Sequence, residues 1–321
     1  MKTLVIGGAG YIGSHVVKAL MKSGHQVTVF DNLSSGLRQN LFNENEFIYG
    51  NILIKEDLDS AFSQGFDACI HLAAFKAAGE SMIKPEKYSV NNITGTLNIL
   101  NSATKYNCKN IVFSSSAAIF GNPQKLPIDE NHPKNPENYY GFTKLSIEDN
   151  LEWYSKLKGI NYSALRYFNA AGYDVDGEIY GLEQNPANLI PIVMETACGM
   201  RKEMSVFGDD YDTPDGTGVR DYIHVVDLAK GHVLAIEKYN TPGVHITNLG
   251  TGKGYSVLDI VETFKRVNNI DVPYVIAPRR PGDIATCYAD PTKAKEELGW
   301  VAEKGLVEMC EDAYQFVLKN K

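Results

Sequence analysis

The hydrophobic pattern of the first half of the chain alternates short apolar runs with longer segments that are apolar along one face. The runs predict strands at residues 3–6, 26–30, 47–49, 68–72, 110–114 and 161–167. The periodic segments predict helices at residues 11–23, 58–63, 84–106 and 139–158. Continuously apolar strands that alternate with helices are typical of a parallel sheet covered on both faces. The predicted fold class is therefore α/β, with a Rossmann-type doubly wound parallel sheet.

The second half of the chain has longer loops and loses the regular alternation after about residue 169. We therefore expect two domains, at residues 1–169 and 170–321, the second a smaller C-terminal α/β lobe, and segments of the two can interleave. A short helix is also predicted at residues 290–299. Asp290 can cap its start, Pro291 suits its first turn, and Gly299 suits the left-handed residue after its end.

Composition narrows the range of partners. The chain has 321 residues, 31 Lys and Arg against 39 Asp and Glu, and a net charge of −8, so no global basic field attracts nucleic acid or an anionic membrane surface. The five cysteines are odd in number and have no CxxC spacing, which predicts no metal site and a reduced, cytoplasmic protein. The first apolar run is too short for a signal peptide, and none is long enough for a membrane span.

A glycine-rich turn joins the first predicted strand to the first predicted helix, with the sequence Gly7-Gly8-Ala9-Gly10-Tyr11-Ile12-Gly13. It can be read as GxGxxG at residues 8, 10 and 13 or as GxxGxxG at residues 7, 10 and 13. In either reading the backbone can approach a pyrophosphate at the helix N-terminus. Asp31 ends the next strand, where a carboxylate accepts from the ribose hydroxyls of NAD and repels the 2′-phosphate of NADP. These features predict NAD as the cofactor.

A tyrosine and a lysine four residues apart begin the helix that follows the fifth strand. Tyr140 and Lys144 share one helix face, and an ammonium beside a cationic nicotinamide ring lowers a tyrosine pKa from its usual value of about 10. Tyr154 and Lys158 repeat the spacing, but they lie far from the strand ends where ligands bind. The run Ser114-Ser115-Ser116 ends the fifth strand, and the hydroxyl of Ser116 can hydrogen-bond a reacting oxygen. We predict that Tyr140, Lys144 and Ser116 catalyse a hydride transfer.

These residues together resemble the extended short-chain dehydrogenase/reductase family. Four later segments resemble the UDP-glucose 4-epimerases within it, namely Arg166-Tyr-Phe-Asn-Ala-Ala-Gly172, Pro186-Ala-Asn-Leu-Ile-Pro191, Asp215-Gly-Thr-Gly-Val-Arg-Asp-Tyr-Ile-His224 and Ala277-Pro-Arg-Arg-Pro-Gly-Asp283. The resemblance covers essentially the whole chain. It implies an isomerase that inverts C4 of UDP-glucose and UDP-galactose through a transient 4-keto sugar, with tightly bound NAD in the first domain and the UDP-sugar in the second.

The resemblance also implies which residues bind each ligand. For NAD these are Gly7, Gly10, Tyr11, Ile12, Gly13, Asp31, Asn32, Ser35, Gly36, Asn51, Ile52, Leu72, Ala73, Ala74, Lys76, Asn91, Ser116, Tyr140, Lys144 and Phe168. For the UDP-sugar they are Ser116, Tyr140, Asn169, Asn188, Leu189, Ser205, Val206, Phe207, Arg220, Arg280, Asp283 and Cys287. Two arginines can hold a diphosphate by charge-assisted hydrogen bonds, and Phe207 can stack on uracil. Asn51 departs from the usual aspartate of the family but keeps an acceptor.

Cys287 occupies a position where some relatives carry tyrosine, beside the C2 substituent of the sugar. A cysteine leaves more room, so we expect UDP-GlcNAc and UDP-GalNAc to be accepted as well. A small buried core thiol is the alternative interpretation of this residue.

Three other functions share parts of the pattern. A dTDP- or GDP-sugar 4,6-dehydratase typically needs an acidic pair where this chain has Ala117 and Ala118. An epimerase of UDP-glucuronate needs a further cation near C6, and the sequence identifies none. A catalytically silent NAD-binding protein would usually lack the tyrosine or the lysine. By family analogy we also expect a homodimer, formed by the helical segments 84–106 and 139–158, and a role in galactose metabolism.

Overall fold

The structure is a computed structural model that describes residues 1–181, 186, 188–238, 243–280 and 282–320. Ala187 and Pro281, which fall in two of the motifs above, lie outside the described residues. The strands are β1 (Lys2–Ile6), β2 (Gln26–Asp31), β3 (Glu46–Tyr49), β4 (Ala68–His71), β5 (Asn110–Ser116), β6 (Asn161–Tyr167), β7 (Asn169–Ala171), β8 (Met204–Phe207), β9 (Val219–His224), β10 (Val244–Leu249), β11 (Gly254–Ser256), β12 (Tyr274–Ala277) and β13 (Thr286–Cys287).

The α-helices are α1 (Tyr11–Lys22), α2 (Lys55–Phe62), α3 (Ala78–Ser81), α4 (Pro85–Tyr88), α5 (Gly95–Lys105), α6 (Tyr139–Lys158), α7 (Leu189–Ala197), α8 (Val225–Lys238), α9 (Val257–Asn268) and α10 (Leu306–Lys319). Short 3-10 turns occur at Arg38–Asn40 and Ala117–Ile119, and π-helical turns at Ser89–Thr94 and Ala294–Leu298. The segment predicted as one helix at 84–106 thus changes to π-helical geometry in its middle. Such turns are frequent at functional sites.

A seven-stranded parallel sheet forms the centre of the molecule, in the order β10-β6-β5-β4-β1-β2-β3. The predicted α/β class with a doubly wound parallel sheet is confirmed. Strand order reverses between β1 and β4, which is where such sheets bind ligands at the carboxyl ends of their strands. Gly7, Asp31, Leu72 and Ser116 all lie at those carboxyl ends.

Two segments from the second half of the chain complete this layer. β10 pairs in parallel with β6, from Val244 opposite Tyr162 to Leu249 opposite Tyr167. α8 packs on α1, where Leu228, Ala229 and Val233 share a buried core with residues of α1. The division into domains at residues 1–169 and 170–321 stays a prediction, and in space these two segments lie with the first half.

The rest of the second half forms two small sheets beside the carboxyl ends of the large one. β9 is central to the first of them, paired with β7, β11 and β13, while β8 and β12 form a parallel pair. Helices α7, α9 and α10 pack on these strands around Phe264, Met309 and Phe316. The predicted short helix at 290–299 is present as a π-helical turn that ends before Gly299, which has a φ of 65°. No described helix is long and apolar enough to cross a membrane.

Candidate active site

The glycine turn owes its shape to two close backbone contacts. Gly7 has a φ of +86°, and a Cβ there would lie 2.7 Å from the backbone nitrogen of Ala73. A Cβ on Gly13 would lie 2.1 Å from the carbonyl oxygen of Gly7, whereas one on Gly10 would have its nearest neighbour at 3.4 Å. Gly7, Gly10 and Gly13 border the cleft at the sheet edge, while Gly8 packs against Val29. The geometry therefore favours the reading at residues 7, 10 and 13.

The carboxylate of Asp31 is fixed at the end of β2 by two backbone donors. The N–H of Ala9 donates to its Oδ2 at 3.1 Å and the N–H of Leu33 to its Oδ1 at 2.8 Å. Burial raises the pKa of Asp31, and these hydrogen bonds oppose the shift. Arg38, a cation close by in the sequence, stacks over the ring of Phe47 with its guanidinium 5.6 Å from the centroid. This arrangement suits a ribose with free hydroxyls.

Most of the predicted NAD residues line this first cleft: Gly7, Gly10, Tyr11, Ile12, Gly13, Asp31, Asn32, Ser35, Ile52, Leu72, Ala73, Ala74, Lys76, Asn91, Tyr140 and Lys144. Gly36, Asn51, Ser116 and Phe168 do not. Asn51 lies between two lining residues, but its Oδ1 accepts from the N–H of Leu53 at 3.0 Å, so the side chain is used in a local turn. The ring of Phe168 is buried in a neighbouring apolar cluster.

Tyr140, Lys144 and Ser116 meet where α6 passes the end of β5. The N–H of Tyr140 donates to Ser81 Oγ at 3.0 Å, which fixes the start of the helix against α3. Lys144 Nζ donates to the carbonyl oxygen of Ser114 at 2.6 Å and lies 5.8 Å from the centroid of the Tyr140 ring. β5 runs to Ser116, two residues past the range predicted for the strand, and Ser116 ends it as expected and directs its hydroxyl to Tyr140.

Burial shifts the pKa values of the two ionisable groups at this point in opposite directions. It raises the pKa of Tyr140, and the hydrogen bond with Ser116 opposes that shift. It lowers the pKa of Lys144 to about 7, and the charge of Glu148 opposes that shift. A phenol and an ammonium whose pKa values are pushed apart by their surroundings are typical of an acid–base site.

Tyr154, from the second tyrosine–lysine pair at residues 154 and 158, makes its contacts outside this site. The hydroxyl of Tyr154 donates to Asn101 Oδ1 at 2.7 Å on the exposed side of α6 and α5. It lines none of the described clefts that carry the predicted site residues. Spacing along the helix alone would not have separated the two tyrosines.

A second cleft lies against the small sheets and contains most of the predicted UDP-sugar residues: Asn169, Asn188, Leu189, Ser205, Phe207, Arg220, Arg280 and Asp283. Arg220 is fixed from behind by the carbonyl oxygens of Val219 and Ile284, which accept from its guanidinium at 2.8 Å and 2.6 Å. Arg280 Nε donates to Asp283 Oδ2 at 2.9 Å, and its guanidinium lies 4.7 Å from the centroid of the Phe207 ring. Two arginines and one exposed aromatic ring therefore converge on one cavity.

Val206 and Cys287 do not line this cavity. The exposure of β8 alternates, so Ser205 and Phe207 face the cleft while the side chain of Val206 is fully buried in the core. Cys287 is 5% exposed, and it packs with Phe168 in a cluster that also contains Ile119, Phe120, Ile128 and Ala289. Burial raises the pKa of its thiol to about 12.

Several residues of the two clefts escaped the sequence analysis. Tyr167, Asn40 and Gly181 line the first cleft, and Tyr211, Tyr222, Met204 and Ile192 line the second. Tyr211 is the most informative of them, because its hydroxyl is buried without a hydrogen-bond partner among the described residues. Tyr211 closely follows the predicted substrate residues Ser205, Val206 and Phe207 in the sequence, which was the signal that could have identified it. Among the described residues, no cluster of three or more His, Cys, Asp or Glu could hold a metal ion.

Comparison with known proteins gives a consistent result. Residues 3–250 match the NAD dependent epimerase/dehydratase family. The UDP-glucose 4-epimerase of Bacillus subtilis is 48% identical, over 100% of this chain and 98% of that protein. The solved UDP-glucose 4-epimerase of Bifidobacterium longum, in complex with NAD+ and UDP, is 42% identical with a TM-score of 0.96, over 100% of this chain and 99% of that one. The UDP-Glc/GlcNAc 4-epimerase of Campylobacter jejuni is 34% identical with a TM-score of 0.85, over 98% of each chain.

Proposed function

The chain belongs to the NAD dependent epimerase/dehydratase family, and from this premise we propose how its two clefts invert C4 of a UDP-sugar. It is an NAD-dependent isomerase of the UDP-glucose 4-epimerase type, with NAD as cofactor. The single observation that carries the proposal is the position of Tyr140. This residue borders the cleft of the glycine turn and hydrogen-bonds Ser116. Ser116 in turn lies beside the end of β6, the strand that leads to Asn169 in the second cleft.

The residues of the first cleft fit NAD. The close contacts at Gly7 and Gly13 leave the first turn of α1 open to a pyrophosphate, and the buried carboxylate of Asp31 faces the same space. Anionic repulsion at Asp31 disfavours a 2′-phosphate, and the guanidinium of Arg38 lies over the ring of Phe47. When bound, NAD supplies a reversible hydride acceptor for C4 of the sugar.

The side chains then divide the work on the substrate. Tyr140 takes the proton from the sugar O4 as C4 is oxidised, and Ser116 hydrogen-bonds the same oxygen. Lys144 holds positive charge beside the phenolate, which lowers the free energy of that form. Arg220 and Arg280 keep the diphosphate bound while the 4-keto sugar turns its other face toward the cofactor. Tyr140 then returns the proton to O4, so the cycle has no net redox change.

Binding of the diphosphate must compete with the existing partner of one arginine. Arg280 is held by Asp283 and lies over Phe207, although all three border the cavity. We propose that the arginine turns to the diphosphate, which frees Asp283 to accept from a ribose hydroxyl and Phe207 to stack on uracil. Arg220 needs no such change, because carbonyl oxygens alone hold it in position.

A 4,6-dehydratase is the main alternative that shares the tyrosine. After Ser116 the chain enters the 3-10 turn Ala117–Ile119, so methyl groups stand where a dehydratase needs acids to expel the C6 hydroxyl. Purified protein given UDP-galactose separates the functions. We expect UDP-glucose as the product without added reductant, whereas a dehydratase would give a 4-keto-6-deoxy sugar and a silent binding protein would give nothing.

We further propose that UDP-GlcNAc and UDP-GalNAc are substrates. Cys287 pairs in register with Arg220 on the adjacent strand, which brings a small side chain next to the sugar-binding strand. An N-acetyl group at C2 would lie against the cluster in which Cys287 is buried beside Phe168. The similarity to the Campylobacter jejuni enzyme, which is named for both sugar types, is in keeping with it.

The test compares turnover of both substrate pairs in wild type and in Cys287→Tyr. The larger ring should abolish turnover of the N-acetylated pair and leave that of UDP-galactose within about threefold, because a steric block acts only on the larger substrate. Wild-type protein without activity on UDP-GlcNAc would overturn this proposal while leaving the epimerisation of UDP-glucose unaffected. Cys108→Ser, at a buried thiol that precedes the amino end of β5 and lines neither cleft, controls for the loss of a core cysteine.

We also propose a homodimer, with galactose metabolism as the pathway served. Exposed apolar side chains support the dimer, since Trp153 and Leu157 on α6 are 61% and 70% exposed. A patch of this kind is typical of an interface. Light scattering during size-exclusion chromatography should give twice the mass of the chain, and Trp153→Glu should reduce it to the mass of one.

A further inference from the structure

A buried ion pair lies one helical turn beyond Lys144, behind the acid–base site. Arg166 on β6 donates to both carboxylate oxygens of Glu148 on α6, at 3.0 Å from Nε and 2.7 Å from Nη2. The two side chains are 2% and 3% exposed. The hydroxyl of Ser115 adds a third hydrogen bond to the same carboxylate at 2.5 Å. Because desolvation of two charges is costly and apolar replacements are often as stable, such a pair invites a functional explanation.

The ion pair is connected to the acid–base site through three consecutive serines of β5. The carbonyl oxygen of Ser114 accepts from Lys144, Ser115 donates to Glu148, and Ser116 bonds Tyr140. Glu148 therefore fixes the middle of the strand segment whose two ends hold the lysine and the tyrosine. Lys144 and Glu148 are also four residues apart, so they are neighbours on one face of α6.

Glu148 is the only anion at neutral pH among the described groups that face Lys144. Those groups are Tyr140 on α6, the Ser114 carbonyl and the Phe113 ring on β5, and His71 on β4, with Tyr167 on β6 beside Tyr140 and Ser114. The pKa of His71 is lowered to about 3 by its burial and by Lys144, so this imidazole is neutral. Burial raises the pKa of the Tyr167 phenol, which is neutral as well.

The charged groups that do not face Lys144 directly are either distant from it or paired with other groups. Arg166 carries positive charge on the far side of Glu148, and its Nη1 also donates to the carbonyl oxygen of Glu130 at 3.0 Å. Burial raises the pKa of Glu130, whose Oε1 accepts from the N–H of Asn248. The phenol of Tyr162 also faces Glu148, and its pKa is raised by burial first and by that carboxylate next. The local field at Lys144 therefore depends mainly on Glu148.

We propose that Glu148, oriented by Arg166 and Ser115, is a positioning residue that keeps the buried Lys144 ammonium charged during turnover. The inference rests on the proposed role of Tyr140 and Lys144 as the acid–base pair. Burial lowers the pKa of Lys144 to about 7 even with Glu148 opposing the shift, so loss of the carboxylate lowers it further. Arg166 has the opposite effect, because it partly neutralises the carboxylate that supports the lysine.

The direction in which the pH profile moves depends on which protonation state of Tyr140 and Lys144 is active. Tyr140 acts as a base only as the phenolate, and that form needs the Lys144 ammonium beside it. In that active form Lys144 holds the one proton that the coupled pair retains, so activity falls on the alkaline side as this last proton is lost. A lower pKa of Lys144 moves that limb of the pH profile to lower pH, and a higher pKa moves it to higher pH.

The test is the pH dependence of kcat for UDP-galactose in wild type, Glu148→Gln and Arg166→Met. We expect the alkaline limb to move down by about one pH unit in Glu148→Gln and up in Arg166→Met, as an effective dielectric constant near 20 allows for neighbouring charges. KM should stay within about twofold, because neither side chain contacts substrate. Glu152→Gln is the matched control on the same helix, since Glu152 is exposed and pairs with Lys156. It should not move the limb.

A second readout does not depend on turnover. The ultraviolet absorbance of tyrosinate, taken as the difference between each protein and its Tyr140→Phe counterpart, gives the pKa of Tyr140. It should rise in Glu148→Gln, because the phenolate loses its cation. If wild type has no epimerase activity at any pH, the proposed function fails, and this titration still tests the inference.

A uniform loss of kcat with an unmoved limb and an unmoved tyrosinate titration would overturn the proposal and make the ion pair purely structural. If Glu148→Gln does not fold because Arg166 is left unpaired, Glu148→Gln/Arg166→Met removes both charges. Its alkaline limb should still move down, and a limb at the wild-type position would equally overturn the proposal.

Discussion

Two substitutions in the glycine turn, Gly13→Ala and Gly10→Ala, can separate a role in folding from a role in binding NAD. In Gly13→Ala the new Cβ would lie 2.1 Å from the carbonyl oxygen of Gly7 and 2.8 Å from the Cα of Gly8. Both are backbone atoms, so the turn and the helix must separate by roughly 1 Å to reach an ordinary contact. Overpacking of this kind typically costs about 1–3 kcal/mol. At about 2–4 °C per kcal/mol, the Tm of the NAD-free protein should fall by about 2–12 °C.

Gly10→Ala should behave differently. Its Cβ would have its nearest neighbour at 3.4 Å, an ordinary contact, so the NAD-free protein should keep its Tm. The methyl group would instead enter the cleft at the first turn of α1, where the backbone approaches the pyrophosphate. Loss of one hydrogen bond to a charged group is worth about 1.5–3 kcal/mol, so the Kd for NAD should rise about tenfold or more.

The assay combines thermal unfolding of the NAD-free proteins with calorimetric titration of NAD. Gly79→Ala is the matched control, because a Cβ at that helical position meets no atom within 4 Å. It should change neither the Tm nor the Kd. A Gly13→Ala protein with wild-type Tm and wild-type affinity would refute the reasoning, as would a Gly10→Ala protein that loses stability but binds NAD normally.

Two further predictions concern α1 and β2. Asp31→Ser should narrow the preference for NAD over NADP, measured as the ratio of their Kd values, because it removes the anion that repels a 2′-phosphate; an unchanged ratio would contradict the assignment of Asp31. Lys18→Met should lower the free energy of unfolding at pH 7 by about 1–3 kcal/mol in urea titrations, because Lys18 Nζ lies within 3.1 Å of carboxylate oxygens of Asp174, Asp176 and Glu178. Those partners raise the pKa of Lys18, so its contribution is present below the ordinary ammonium pKa and is lost as the pH rises through the folded value; a loss already complete at pH 8 would contradict this.

The sequence predicted well where local physics determines the structure. Strand positions in the first half follow from apolar runs, and the glycine turn follows from contacts that only glycine permits. Tyr140 was separable from Tyr154 because strand carboxyl ends bind ligands, and the structure has these two hydroxyls in different surroundings. Residues fixed by a motif and by the end of a strand were therefore accessible without coordinates.

What escaped prediction depends on contacts between distant parts of the chain. The pairing of β10 with β6 is a choice of sheet edge that no local pattern encodes. The π-helical turn at Ser89–Thr94 depends on packing around Asn92, which bonds Phe75 and Thr143. The orientation of Val206 could have been read from strand alternation, but only once β8 was recognised as a strand. The Glu148–Arg166 ion pair joins α6 to β6, and the sequence of neither segment alone predicts it.

The central claim is that Tyr140 removes a proton from the substrate and returns it within one cycle. The most direct measurement compares kcat for conversion of UDP-galactose to UDP-glucose in wild type, Tyr140→Phe and Tyr154→Phe, with bound NAD and Tm recorded for each. We predict that Tyr140→Phe keeps its NAD and its fold but loses about 10²–10⁴-fold in kcat, the usual worth of a general acid–base. Tyr154→Phe should retain wild-type kcat. Near-normal turnover in a folded, NAD-loaded Tyr140→Phe protein would contradict the account.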